Sequence, residues 1–178
     1  MRRTTTVKNE RGFTLVEVLV AAMILTIALL TLATMFPTGY KQIADAGRMT
    51  LATNGANHIL EDLGSVPFTT VRNLDNFDTN SAGTLPAADP ELAIARRWRY
   101  MLAGSGGGFT FTTAETTAWG SVTPIGARAQ VQIRQADNAG NVCPAAATTC
   151  RAVVTITIPS GQTAPTTVTL TTILVRMF

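Results

Sequence analysis

From Phe13 to Phe36 the chain runs 24 residues with a single charge, Glu17, and no other segment limits its fold so tightly. A helix rises about 1.5 Å per residue, so the run covers about 36 Å and can cross a hydrocarbon core of about 30 Å. Arg2, Arg3, Lys8 and Arg11 precede it against Glu10 alone, and short flanks rich in Lys and Arg stay on the cytoplasmic side. The expected topology is a single membrane span with the bulk of the chain exported. A secretory signal places its small-residue cleavage site after the apolar region, whereas Gly12 comes before it. Cleavage at Gly12 removes a basic leader, residues 1–12, and leaves the membrane helix, residues 13–36, attached to the mature chain.

Glu17 needs its own explanation. A charge in the middle of a spanning helix costs on the order of 3 kcal/mol, less near an end, and usually marks function. Glu17 lies four residues into the run, about 6 Å by the helical rise. A cut after Gly12 creates an α-amine on Phe13 at similar depth. Ammonium and carboxylate then pair within one helix or between staggered copies. The plainer alternative is an acid tolerated at the membrane edge.

The segment Arg11-Gly12-Phe13-Thr14-Leu15-Val16-Glu17-Val18-Leu19-Val20-Ala21-Ala22 resembles the processing and methylation segment of type IV prepilins and of the related pseudopilins of type II secretion. The resemblance implies cleavage between Gly12 and Phe13 by a prepilin peptidase/N-methyltransferase, which then methylates the Phe13 amine. It further implies that Glu17 meets the terminal amine of a neighbouring subunit during filament assembly. The implied partners are other pilin or pseudopilin subunits, an inner-membrane assembly platform and the inner membrane itself. The N-terminus is then cytoplasmic and the C-terminal region periplasmic until the subunit enters a pilus or pseudopilus. The implied fold is α+β and pilin-like, a long N-terminal helix, half transmembrane and half amphipathic, packed on a C-terminal antiparallel β-sheet. One departure stands out: many pilins carry a Pro inside the apolar run, and here the first is Pro37.

The rest of the chain has room for one modest domain. The leader takes four of the 14 basic residues and one of the 11 acidic ones, leaving ten of each. The mature chain is formally neutral, so its overall charge gives no reason to expect a nucleic-acid partner. Cys143 and Cys150 are the only cysteines and fall in the exported part, where a disulfide is favoured. Zinc needs four N or S ligands, or three plus water. The sole histidine, His58, is far away in the sequence, so a metal site is the weaker reading.

Pro37 and Gly39 mark an expected kink or interruption, because Pro removes a helical donor and Gly is conformationally loose. Residues 37–64 then continue as an amphipathic helix in which Ile43, Ala46, Leu51, Ala52, Ala56, Ile59, Leu60 and Leu63 recur at helical spacing. Such a stripe must be buried, here against a sheet. Gly64 and Pro67 give the stop. Residues 65–95 read as a long connecting loop with one short helix near Pro90 to Ile94. The remainder, 96–178, reads as the antiparallel sheet region. In it Trp98, Tyr100 and Leu102 alternate with Arg97, Arg99 and Met101, and Gly104 to Gly108 form a hairpin turn before Phe109 and Phe111. Ala127 to Ile133, Val154 to Ile158 and Val168 to Val175 supply further strands.

Asp75, Asp78 and Asn80 gather oxygen ligands that suit Ca²⁺, but they lack the spacing and closing Glu of a calcium loop. Turn residues solvated on a loop are the better account. In Arg96-Arg97-Trp98-Arg99-Tyr100, bases interleave with aromatics as in strand-binding proteins. On a β-strand, however, the aromatics face the core while Arg97 and Arg99 face solvent. No nucleophile elbow, HExxH, P-loop or Cys-His pairing is present, so neither enzymatic activity nor a cofactor is expected. The expected function is that of a structural subunit, a minor pilin that primes or modifies a type IV pilus. The alternatives are a type II secretion pseudopilin, a major pilin, or a membrane-anchored periplasmic binding or enzymatic domain.

Overall fold

A computed structural model describes residues 12–137, 140–159 and 164–176. The first helix, α1, spans Leu15–Ser65 with Pro37 inside it. The chain divides into two units, residues 1–44 and 45–178.

In the first unit the expected interruption at Pro37 and Gly39 is absent, since both lie within continuous helix. Pro37 leaves one carbonyl without its usual donor, and the neighbouring turn is supplemented by side chains. Thr38 Oγ1 donates to Thr34 O at 3.3 Å and Thr34 Oγ1 to Thr31 O at 2.8 Å.

The second unit is built around a four-stranded antiparallel sheet in the order β1-β2-β3-β4, comprising Phe77–Asp78, Arg128–Gln135, Thr149–Ile158 and Thr166–Val175. Val131 is opposite Val154 and Phe77, and Val154 is opposite Leu170, which fixes one register across the sheet. The alternation read from the sequence holds in β2 and β3. Ala129, Val131, Ile133, Ala152, Val154, Ile156 and Ile158 are buried beneath a face of Thr, Gln and Arg. Against this core lie Ala52, Ala56, Ile59 and Leu63 of α1, spaced four, three and four residues apart. Only this last part of the predicted stripe is buried; Ile43 and Leu51 are exposed. Gly55 lets the helix close on the sheet, since a Cβ there would stand 3.0 Å from Ile156 Cδ1 and 3.3 Å from Leu102 Cδ2. Together the long N-terminal helix and the antiparallel sheet make the fold α+β and pilin-like.

The region from Arg96 to Leu102 is helix, not strand. It belongs to α2, Glu91–Ala103, whose buried residues Glu91, Ala95, Trp98, Arg99 and Leu102 keep helical period over 13 residues. The apparent alternation of Trp98, Tyr100 and Leu102 is a fragment of that longer pattern, because a window opened at Arg96 omits its first turn. The Asp89 carboxylate accepts from Ala93 N–H at 3.2 Å, and Gly104, at φ 69°, ends the helix. Gly104 to Gly108 do not join two strands. They lead through Phe109 and Phe111 to α3, Thr113–Trp119, which opens on a capping box between Thr112 and Glu115. The loop expected over 65–95 also holds two 3₁₀ turns and the short strand β1.

Candidate processing and assembly segment

The structure places Gly12, Phe13 and Thr14 in extended chain immediately before α1, all three exposed. Phe13 is 82% accessible. Thr14 starts the helix: its carbonyl accepts from Glu17 N–H at 3.0 Å and its Oγ1 from the same N–H at 3.3 Å. The spacing Thr14-x-x-Glu17 is that of a capping box, of which the threonine half is formed. A carboxylate in the first turn also faces the positive end of the helix dipole, worth about 0.3–1 kcal/mol. Glu17 therefore sits in the first turn of α1, where the helix dipole favours its carboxylate. The Thr-x-x-Glu spacing was there to be read.

Apart from Glu17, the helix carries no charge from Leu15 to Phe36. Leu15, Val16, Val18, Leu19, Val20, Met23, Ile24, Leu25, Ile27, Leu29 and Leu30 each expose more than half their surface. Residues 12–44 are exposed, with Gly39 partly covered. The apolar stretch is long enough to cross a membrane by length and composition. So large an uncovered apolar surface requires lipid or other helices.

The other candidate residues are placed as follows. Cys143 and Cys150 form a disulfide, their Cα atoms 5.8 Å apart, enclosing the Pro144 to Thr149 loop. Both are buried in the sheet core, and Cys143 N–H donates to Ile133 O at 3.0 Å, so the bridge fixes this loop to β2 as well as to β3. Asp75, Asp78 and Asn80 do not converge as a ligand set, because each is occupied by other groups. Asp78 makes a two-toothed ion pair with Arg128 and accepts from Asn80 N–H at 2.9 Å. Burial disfavours the Asp78 charge, yet Arg128 and the Asn80 N–H outweigh it and hold the carboxyl below its ordinary value. Asp75 accepts from Ile133 N–H at 2.8 Å and pairs with Arg134 at 3.6 Å, and Asn80 Oδ1 accepts from Arg99 Nη1 at 3.1 Å. These residues lock the loop to the sheet, a larger role than solvated turns.

The basic-aromatic cluster is also occupied internally. Trp98 is 1% exposed, with Nε1 donating to Asp62 Oδ2 at 2.7 Å. Arg99, expected at the surface, is buried. It donates to Thr79 O at 2.9 Å and Gly106 O at 3.1 Å, and lies 5.1 Å from the Phe109 ring centre. Burial lowers its pKa. Arg96 grips Glu115 through two bonds of 2.6 and 2.8 Å and lies over Phe111. Arg97 Nη2 is 3.4 Å from His58 Nε2. The stack of exposed bases and aromatics considered from the sequence does not form. Among the described residues no group of three or more His, Cys, Asp or Glu could hold a metal.

A family model described as the prokaryotic N-terminal methylation motif matches residues 7–33. Residues 7–11 of that match lie outside the described residues. No curated protein and no solved structure matches the chain. The motif covers Gly12, Phe13 and Glu17, and it implies processing by a prepilin peptidase and assembly with other pilins. The apolar helix that follows fits a membrane-anchored pilin. That motif at its head, with the pilin-like α+β fold behind it, supports the type IV prepilin-like family.

Proposed function

We propose that the chain is a prepilin cut between Gly12 and Phe13, N-methylated on Phe13, and assembled through α1 as a minor pilin of a type IV pilus. The observation that carries this reading is a methylation motif at the head of an apolar helix whose large side chains are exposed. Moving such a helix from lipid into a bundle of like helices exchanges one apolar surrounding for another, with little hydrophobic gain. Direction and register then need a polar contact. Glu17 opposite the Phe13 amine of a neighbour is one, held in a medium where an unpaired charge is costly. In this scheme the subunit waits in the inner membrane, N-terminus cytoplasmic and sheet unit periplasmic, until an assembly platform extracts it.

The test is the mass of the mature N-terminus together with the protein content of sheared filaments. The expected result is a chain beginning at methylated Phe13, present in sheared pili at a small fraction of the main subunit. Glu17→Gln, which keeps side-chain length and loses at most about 1 kcal/mol of helix-dipole stabilisation, should insert and be processed normally yet fail to enter filaments. A chain that still begins at Met1 overturns the whole reading, and normal incorporation of Glu17→Gln overturns the pairing. Copurification with type II secretion components instead of pilus proteins reassigns it as a pseudopilin.

A further inference from the structure

The stretch from Thr110 to Thr123, which contains α3, is fastened to the second unit at few points. None of its residues is buried and none belongs to the hydrophobic core. The core resumes on either side, at Phe109, which is 3% exposed, and at Ile125, which packs against the core. The main-chain bonds of the stretch are internal: Thr116 N–H donates to Thr112 O and Gly120 N–H to Thr116 O, both at 3.1 Å.

What holds the stretch down comes from α2. Arg96 Nε and Nη2 donate to the Glu115 carboxylate at 2.6 and 2.8 Å, and Nη2 also donates to Thr110 O at 2.7 Å. The same guanidinium lies 5.4 Å from the Phe111 ring centre. Tyr100 follows Arg96 by four residues and so shares its helix face. Its hydroxyl donates to Gly120 O at 3.3 Å, and its ring centre stands 5.4 Å from that of Phe111 and 5.5 Å from that of Trp119. Among the described residues, every hydrogen bond from the stretch to the rest of the chain is made by Arg96 or Tyr100.

Two physical consequences attach to this arrangement. A stretch with no buried side chain opens at a fraction of the free energy needed to unfold the core. α3 has only seven residues, and a helix so short is not stable in water by itself, so α3 persists only while it is docked. Undocking and melting are then one event. Glu115 joins the two, because the carboxylate that closes the capping box with Thr112 is the one that Arg96 grips. Mild acid does not loosen that grip, since Arg96 and then the Thr112 N–H hold the Glu115 carboxyl down to about 2.

We propose that residues 110–123 are a strap that lifts off α2 as one unit, α3 melting as it goes, while the sheet stays folded, and that Arg96 is the pin that keeps it closed. The lifted state bares Tyr100 and the Arg96 face of α2, which the closed strap partly covers.

The test is hydrogen exchange read by mass spectrometry on the full chain in detergent, comparing amides bonded inside α3, such as Thr116 and Gly120, with those of β3. In the parent, α3 should exchange about a hundredfold faster than β3 or more. Its rate should stay flat in sub-denaturing urea, because lifting the strap exposes little surface, whereas the β3 rate should climb. Arg96→Gln removes the charged bonds to Glu115 and leaves the capping box in place, so it should speed exchange in α3 about tenfold or more and leave β3 unchanged. Arg96→Lys keeps the charge and loses the two-pronged grip, and should fall between. Protection of α3 equal to that of β3, an Arg96→Gln effect on both alike, or no effect on α3 overturns the proposal. Should Arg96→Gln fail to accumulate, the parent decides alone: an α3 rate that climbs with urea in step with β3 refutes independent lifting. Processing at Gly12 plays no part in these measurements, so failure here is distinct from failure of the pilin reading.

Discussion

Replacing Gly55 tests how closely α1 rides on the sheet. In an exposed helix Gly55→Ala would stabilise by about 1 kcal/mol. Here the new Cβ stands 3.0 Å from Ile156 Cδ1 and 3.3 Å from Leu102 Cδ2, both terminal methyls of flexible side chains. Turning each aside costs about 0.5–1.5 kcal/mol. The two together cost about 1–3 kcal/mol against the gain of about 1, so Gly55→Ala should be neutral or destabilise by up to about 2 kcal/mol. Gly55→Val adds two further methyls to a filled site and should destabilise by about 1–3 kcal/mol. Ile156→Val removes the methyl nearest the new Cβ. Alone it should cost about 0.5–1.5 kcal/mol, and less in the Gly55→Ala background, a coupling of about 0.5 kcal/mol or more. Urea unfolding of the parent and these four variants in detergent, followed by tryptophan fluorescence, gives these differences. A neutral Gly55→Val together with zero coupling would mean that α1 does not seat against Ile156.

Two further outcomes follow from the exported unit. The Arg96 guanidinium, then the Thr112 N–H, hold the Glu115 carboxyl down to about 2 from 4.5. A depressed folded value means that the stabilisation is complete above pH 4.5 and is lost as pH falls through about 2. An NMR titration should show this for Glu115, and Arg96→Gln should return the carboxyl towards 4.5; an unmoved titration refutes the pairing. Replacing both Cys143 and Cys150 by Ser opens the loop and should cost roughly 2.5 kcal/mol by the chain-entropy argument, measured by the same urea unfolding against the oxidised parent.

Much of the architecture was legible because it rests on periodicity. β2 and β3 read as strands since every second residue is apolar over eight to ten positions, and one buried face selects that register. Residues 96–102 misled because seven residues contain too little of a 3.6-residue period, and the strong β-formers Trp98 and Tyr100 weighted the choice. β1 was invisible: two residues have no period, and Phe77 joins the sheet only because Val131 lies across from it.

The candidate site divides in the same way. Gly12, Phe13 and Glu17 could be proposed from the sequence because an apolar run, its flanking charges and the one acid within it lie along a single stretch that resembles a processing segment. The bonds of Arg99 to Thr79 and Gly106, of Arg128 to Asp78, and of Arg96 to Glu115 could not. Each joins positions 7 to 50 residues apart, and a charge's partner depends on where folding brings it. The sequence alone determined that this chain has an apolar, membrane-compatible helix with a processing motif before it. Only the tertiary structure decided which charges are neutralised and which side chains form the core, because pairing across a fold depends on register and burial, which local pattern does not contain.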